Sequence, residues 1–100
     1  MVKTFQVNYL KAASHEYKNL DGSQKIFIDK AIARIEHYGM NCGQELHGAL
    51  IGYRKLKNRK MGLRIIFGKA ANSIEIIDII AIGKRADNEV YNDAVRRLNK

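Results

Sequence analysis

The isoleucine-rich run at residues 74–82, Ile-Glu-Ile-Ile-Asp-Ile-Ile-Ala-Ile, constrains the fold more than any other part of the chain. A run this rich in β-branched side chains predicts a strand that is covered on both faces. It is too short to span a bilayer, and it contains Glu75 and Asp78. We therefore expect it to be an interior strand of a sheet.

Two further patterns fill the first forty residues. Residues 4–10 alternate between apolar and polar side chains and predict a half-buried first strand. Residues 11–19 and 24–38 follow helical spacing, and the break between them supplies Asp21 or Ser23 as a cap for the second helix. Gly39 can end that helix. Because the connecting turn is so short, the two helices should form an antiparallel hairpin that lies on the sheet.

Residues 52–67 read Gly-Tyr-Arg-Lys-Leu-Lys-Asn-Arg-Lys-Met-Gly-Leu-Arg-Ile-Ile-Phe and contain no acid. The alternation on either side of a polar turn predicts a β-hairpin with an apolar face and a cationic face or rim. Lys55 and Lys57 are two residues apart, so both should point to one face of the strand. The plainer interpretation is a solvated edge hairpin that lysine keeps soluble.

The chain closes with a helix that Asp87 is expected to cap and that runs to about Leu98. Residues 40–50 are irregular, and residues 70–73 form a turn. The order is then a strand, a helical hairpin, a three-strand antiparallel meander and a C-terminal helix. This order predicts a single α+β domain over residues 1–100, with a mostly antiparallel sheet of about four strands.

The formal net charge of +8 in 100 residues indicates a polyanionic partner. An acidic protein and an anionic membrane surface compete with nucleic acid, but no basic amphipathic helix supports a membrane partner. Cys42 is the one cysteine, which excludes an internal disulfide and fits a reducing cytoplasm. The N-terminus does not resemble a signal peptide. No cluster of metal ligands is present in the sequence pattern.

The junction between the last strand and the last helix gathers further polar residues. Arg85 leaves the strand end, and Tyr91 lies in the first turns of the helix. Ligands tend to bind where strands end and helices begin, so these residues can join the hairpin cations beside one face or edge of the sheet. Taken alone, Tyr91 lies on an apolar stripe and is more often a core residue. Lys84 and Arg85 alone are solvated loop charges.

Three segments, in this order, resemble the RelE-type toxins of the RelE/ParE superfamily, the ribosome-dependent mRNA interferases of bacterial and archaeal toxin–antitoxin pairs. The segments are Leu46-His47-Gly48 with the hairpin at 53–67, then Ile82-Gly83-Lys84-Arg85, then Val90-Tyr91 with Ala94-Val95-Arg96-Arg97-Leu98. The element order extends the resemblance over the whole chain. This sequence departs from the family at His47, where a basic residue is more frequent, and in the added pair Arg59-Lys60.

The resemblance implies a RelE-like fold and a set of functional residues. The matched active-site residues are Lys55, Lys57, Arg64, Arg85 and Tyr91, and the candidate RNA-binding residues beside them are Arg54, Arg59, Lys60 and Lys84. The partners it implies are a cognate antitoxin, the 30S A site with its rRNA, and mRNA. It implies no cofactor or metal, no membrane, a cytoplasmic location, and a toxin–antitoxin complex that is hetero-oligomeric and binds DNA through the antitoxin.

The residue types suit cleavage of RNA by its own 2′-hydroxyl, which needs a proton acceptor, cations for the charged transition state and stabilisation of the departing 5′-oxygen. Our hypothesis makes Tyr91 the base and places Arg64 and Lys57 on the phosphate. Lys55 lies beside Tyr91 or the phosphate. Arg85 lies near the leaving oxygen, where it stabilises charge, because arginine is a poor proton donor.

Two alternatives belong to other functional classes. A ParE-like toxin shares the fold but binds DNA gyrase and cuts no RNA, and it typically lacks the equivalents of Arg85 and Tyr91. A non-catalytic RNA-binding relative keeps the charge but not the chemistry.

Overall fold

The computed structural model describes residues 4–99. The strands are β1 (Gln6–Tyr9), β2 (Gln44–Glu45), β3 (Arg54–Asn58), β4 (Leu63–Lys69) and β5 (Ile76–Lys84). The helices are α1 (Lys11–Lys18), α2 (Gly22–Tyr38) and α3 (Glu89–Arg97), with short 3₁₀ turns at Gly39–Asn41, Gly48–Leu50 and Ala86–Asn88. The predicted α+β class and element order are confirmed. Residues 1–3 and 100 of the predicted domain lie outside the described residues.

The strands form one sheet in the order β1-β5-β4-β3-β2. Strands β3, β4 and β5 are the predicted antiparallel meander, and β1 pairs with β5 in parallel. The structure adds β2, a two-residue edge strand paired with β3 inside the stretch predicted to be irregular. Two residues carry too little pattern for strand alternation to reveal.

Strand β5 lies in the interior of the sheet, as its isoleucine content predicts. Ile77, Ile79, Ile80 and Ile82 are all buried. The strand begins at Ile76 because the chain is still turning before it, and Ile74 remains 73% exposed. Burial of these side chains on both faces requires a layer of helix on each side of the sheet.

The two faces are covered by different helices. The predicted helical hairpin, α1 and α2, packs on one face over a core that includes Ile28, Ile35 and Phe67. Helix α3 packs on the other face, over Ile66 and Ile80. No helix within residues 4–99 has both the length and the apolar content needed to cross a membrane.

The ends of the helices show which cap predictions hold. Asp21 caps α2 in a capping box, in which Asp21 Oδ1 accepts from the Gln24 N–H at 2.8 Å and Gln24 Oε1 accepts from the Asp21 N–H at 3.1 Å. Gly39 ends α2 as predicted.

The predicted Asp87 cap is wrong. The N-cap position of α3 is Asn88, whose side chain makes no cap bond within residues 4–99. Asp87 and Asn88 both have left-handed φ angles, 55° and 56°. The chain reverses there from β5 into α3, and Asp and Asn tolerate this conformation best after glycine.

Candidate active site

The alternation of β3 sends its two lysines to the face that α3 covers. Lys55 pairs across the sheet with Ile66, and Lys57 pairs directly with Arg64. Ile66 belongs to the core beneath α3, so all of these side chains share that face. Cations directly opposite each other repel, so the Lys57–Arg64 pair destabilises the free protein. A ligand that supplies negative charge relieves this repulsion.

Arg64 is the one charged residue buried in the described chain, with 4% of its surface exposed. Its Nη1 donates to the Leu63 carbonyl at 3.1 Å, while its buried Nε has no hydrogen-bond partner within residues 4–99. A buried cation with an unpaired donor costs free energy. Such a cost is more readily explained by a functional requirement than by stability.

Tyr91 meets these cations from α3. Lys55 Nζ donates to Tyr91 Oη at 3.0 Å and lies 5.2 Å from the centre of the ring. Partial burial raises the pKa of Tyr91, but the hydrogen bond from Lys55 and the positive charges of Lys55 and Arg64 outweigh it, so that the pKa lies below its ordinary value. The ring also packs against the core beneath α3. Tyr91 is therefore partly a core residue, and its hydroxyl still reaches the cationic face.

A cleft of about 270 Å³ is lined by Lys57, Arg59, Arg64 and Arg85. All four lining residues are cations. Arg85 is brought there because its backbone N–H donates to the Gly62 carbonyl at 2.9 Å, which fixes the end of β5 to the hairpin turn. Burial lowers the pKa of Lys57, and the charges of Arg59, Lys55 and Arg64 lower it further. An anion in this cleft relieves that mutual repulsion.

The residues predicted to bind RNA around the site are placed in different ways. Arg59 and Lys60 are exposed in the β3–β4 turn, and Arg59 lines the cleft. Lys84 is exposed, but its Nζ donates to the Met61 carbonyl at 3.1 Å.

Arg54 does not join the cationic face. The alternation of β3 turns it toward the opposite face, where Nε donates to the Cys42 carbonyl at 2.9 Å and Nη2 to the Gly43 carbonyl at 2.7 Å. Its Nη1 lies 3.5 Å from Glu45 Oε1. With its donors engaged in this way, Arg54 fastens the loop before β2 to the sheet.

Sequence reasoning missed a neighbouring cleft of about 310 Å³ at the edge of β3. Arg34 and Gln44 line it together with Lys55 and Lys57. Arg34 reaches this place from α2, and β2 is too short to cover the edge. No spacing in the sequence indicates this meeting, because the residues are far apart in the chain.

No group of three or more His, Cys, Asp or Glu side chains within residues 4–99 is arranged to hold a metal ion. The residues that the structure brings together at the candidate site are four cations and one tyrosine, namely Lys55, Lys57, Arg64, Arg85 and Tyr91. Such a set can bind a phosphate, stabilise added negative charge and take up a proton at the phenolate oxygen.

Fold and site together define a class, a small α+β domain with a cleft lined by four cations. Neither the family models nor the curated proteins compared with the chain give a match. Solved structures identify the particular fold. A doubly substituted E. coli RelE toxin in the free state superposes with a TM-score of 0.78 at 21% identity, covering 95% of this chain and 98% of that one.

Two complexes show the same likeness. The toxin–antitoxin complex RelBE of E. coli gives a TM-score of 0.64 at 18% identity, over 80% of this chain and 95% of that one. A RelBE complex from Mycobacterium tuberculosis gives 0.67 at 15% identity, over 87% and 98%. The chain therefore has the RelE fold, and the resemblance seen in the sequence is confirmed at the level of the fold.

Proposed function

We propose that this protein is the toxin of a type II toxin–antitoxin pair and a ribosome-dependent endoribonuclease that cleaves mRNA in the A site. The observation that carries the proposal is the 3.0 Å hydrogen bond from Lys55 to Tyr91 beside buried Arg64. It unites a polarised phenol with an acid-free phosphate cleft in a protein of the RelE fold.

In the proposed reaction, the phenolate oxygen of Tyr91 takes the proton of the RNA 2′-hydroxyl. The 2′-oxygen then forms a bond to the adjacent phosphorus, and the bond from phosphorus to the 5′-oxygen breaks. The products are a 2′,3′-cyclic phosphate and a 5′-hydroxyl. The hydrogen bond from Lys55 to Tyr91 favours a place for Lys55 beside Tyr91 over one on the phosphate. From there, the ammonium of Lys55 stabilises the phenolate between turnovers.

The cleft residues supply the charge that this transition state requires. Arg64 and Lys57 hold the scissile phosphate, and Arg85 stabilises the leaving oxygen from the rim. The departing oxygen must gain a proton. Lys57 suits this step better than an arginine, because burial and its cationic neighbours lower its pKa and make its ammonium a better donor.

The proposed partners follow from the same fold. E. coli RelE has been solved in its complex with RelB, so we propose a cognate antitoxin for this chain, in a hetero-oligomeric complex that binds DNA through the antitoxin. The net charge of +8 favours docking onto ribosomal RNA. We place the activity in the cytoplasm, where its ribosomal substrate is found.

A translation reaction programmed with a defined mRNA tests the proposal. Primer extension should reveal cuts within codons, and they should disappear when the ribosomes are omitted. Inhibition of gyrase supercoiling with intact message would instead establish the ParE-like alternative. Ribosome binding without either effect would establish a non-catalytic RNA-binding protein.

A further inference from the structure

Strand β5 has an edge that its neighbour β1 leaves uncovered. The parallel pairing with β1 ends at Tyr9, opposite Ile79, while β5 continues to Lys84. On the other side, β4 pairs with Ile79 and Ala81 across a register shift, so that Ile80 is an extra residue in β5. Backbone polar groups past Ile79 on the β1 side therefore need partners other than a strand.

Two side chains occupy the place of the missing strand. Glu16 of α1 accepts from the Ile82 N–H through Oε1 at 3.0 Å, and Arg97 of α3 donates from Nη1 to the Ile80 carbonyl at 2.9 Å. The two side chains also bind each other in a two-pronged pair, with Nη1–Oε1 at 2.8 Å and Nη2–Oε2 at 2.9 Å. They are only 23% and 18% exposed. We call this arrangement the edge brace.

The edge brace joins helices that lie on opposite faces of the sheet. Helix α3 has only nine residues, which is too short to be stable without tertiary contacts. Near its start, Val90 is buried against the sheet, where a Cβ on Gly83 would be in ordinary van der Waals contact with the Val90 Cβ at 3.4 Å. At its end, Arg97 ties it to β5. Tyr91 lies between these anchors, about 9 Å along the helix axis from Arg97.

We propose that Glu16 and Arg97 are positioning residues for the cleavage reaction, holding α3 so that Tyr91 meets Lys55. This inference rests on the proposed function for its catalytic consequence. Neither residue lines the cationic cleft, so each acts through α3. Loss of the far anchor lets the helix rotate about Val90, and a displacement of about 1 Å at a reacting group costs roughly 10²-fold in rate.

The test removes the far anchor and measures Tyr91 directly. Arg97→Met keeps the length of the side chain and removes its donors. The control is Arg96→Met, which removes the same charge one residue earlier, where the side chain is 73% exposed and pairs with Asp93 on its own helix. The phenolate of Tyr91 is titrated by ultraviolet absorbance, as the difference between each protein and its Tyr91→Phe counterpart. Single-turnover cleavage and ribosome binding are measured on the same samples.

The edge brace predicts that Arg97→Met raises the pKa of Tyr91 toward its ordinary value and slows cleavage at least 10-fold, with ribosome binding unchanged. The control should resemble the wild type in all three measurements. A folded Arg97→Met protein with wild-type titration and cleavage would overturn the proposal. Should that variant not fold, Glu16→Gln decides by the same criteria, because the amide oxygen still accepts from the Ile82 N–H while the charge pairing is lost.

Exchanging the pair separates backbone contacts from simple charge attraction. Glu16→Arg combined with Arg97→Glu restores opposite charges but presents donors to the Ile82 N–H and acceptors to the Ile80 carbonyl. No recovery of the Tyr91 titration is expected, and full recovery would contradict the role given to the strand edge. The titration uses the free protein, so it remains decisive even if the wild type cuts no ribosomal mRNA, a result that would refute only the proposed function.

Discussion

Replacing Tyr91 with phenylalanine separates its chemistry from its packing. The ring stays in the core beneath α3, and only the hydroxyl that accepts the 3.0 Å hydrogen bond from Lys55 is removed. A hydrogen bond to a charged group contributes about 1.5–3 kcal/mol to stability, and partial exposure here places the loss near the lower figure. Against a typical stability of about 5–15 kcal/mol, Tyr91→Phe should remain folded.

The expected effect on cleavage is much larger. A positioned general base contributes roughly 10²–10⁴-fold in rate, which corresponds to about 2.7–5.5 kcal/mol in the barrier. Single-turnover cleavage on programmed ribosomes should therefore fall by about 10² or more, while thermal melting shows a folded protein. The matched control is Tyr17→Phe, which removes a hydroxyl that donates to Asp29 Oδ1 at 2.7 Å on the helical hairpin. The control should cut at the wild-type rate. Wild-type cleavage by Tyr91→Phe would refute its role as the base.

Three further predictions follow from the placement of the charges. Arg85→Ala should slow single-turnover cleavage about 10-fold or more with little change in ribosome binding, whereas Arg59→Ala should weaken binding and reduce its salt dependence; the reverse result would put the site elsewhere. Cleavage should rise with pH as the phenol of Tyr91 ionises and fall again as the Lys57 ammonium loses the proton that it donates, and Lys55→Met should shift the rise to higher pH, as a rate–pH profile will show. Arg54→Ala should lower the melting temperature rather than the affinity for ribosomes, because its donors bind the loop before β2.

Much of the fold follows from side-chain patterns that are local in the chain. The isoleucines of β5 predict an interior strand, and the alternation around residues 55–67 predicts the hairpin of β3 and β4. Asp21 is a correct cap because Gln24 stands three residues later in a capping box. Asp87 has the same preference for a cap, but the reversal from β5 into α3 uses it in a left-handed conformation instead. Composition alone does not distinguish the two outcomes.

The parts that could not be predicted depend on contacts between distant residues. Arg54 belongs to the basic stretch, yet the alternation of side chains along β3 places it on the face opposite Lys55 and Lys57. The pairing of Glu16 with Arg97 requires an uncovered strand edge, which arises from the end of β1 and an extra residue at Ile80. Arg64 is one cation among several in the sequence, and only packing beneath α3 makes it the buried one.

The most direct test of the central claim compares one mRNA free in solution and on a ribosome with an empty A site. The site residues are four cations and a tyrosine, which can hold a phosphate but do not by themselves align the 2′-hydroxyl with the departing oxygen. Purified protein should leave the free message largely intact and cut the ribosome-bound message, leaving a 5′-hydroxyl and a 2′,3′-cyclic phosphate or its 3′-phosphate product. Efficient cutting of free mRNA, or products that carry a 5′-phosphate, would contradict the mechanism.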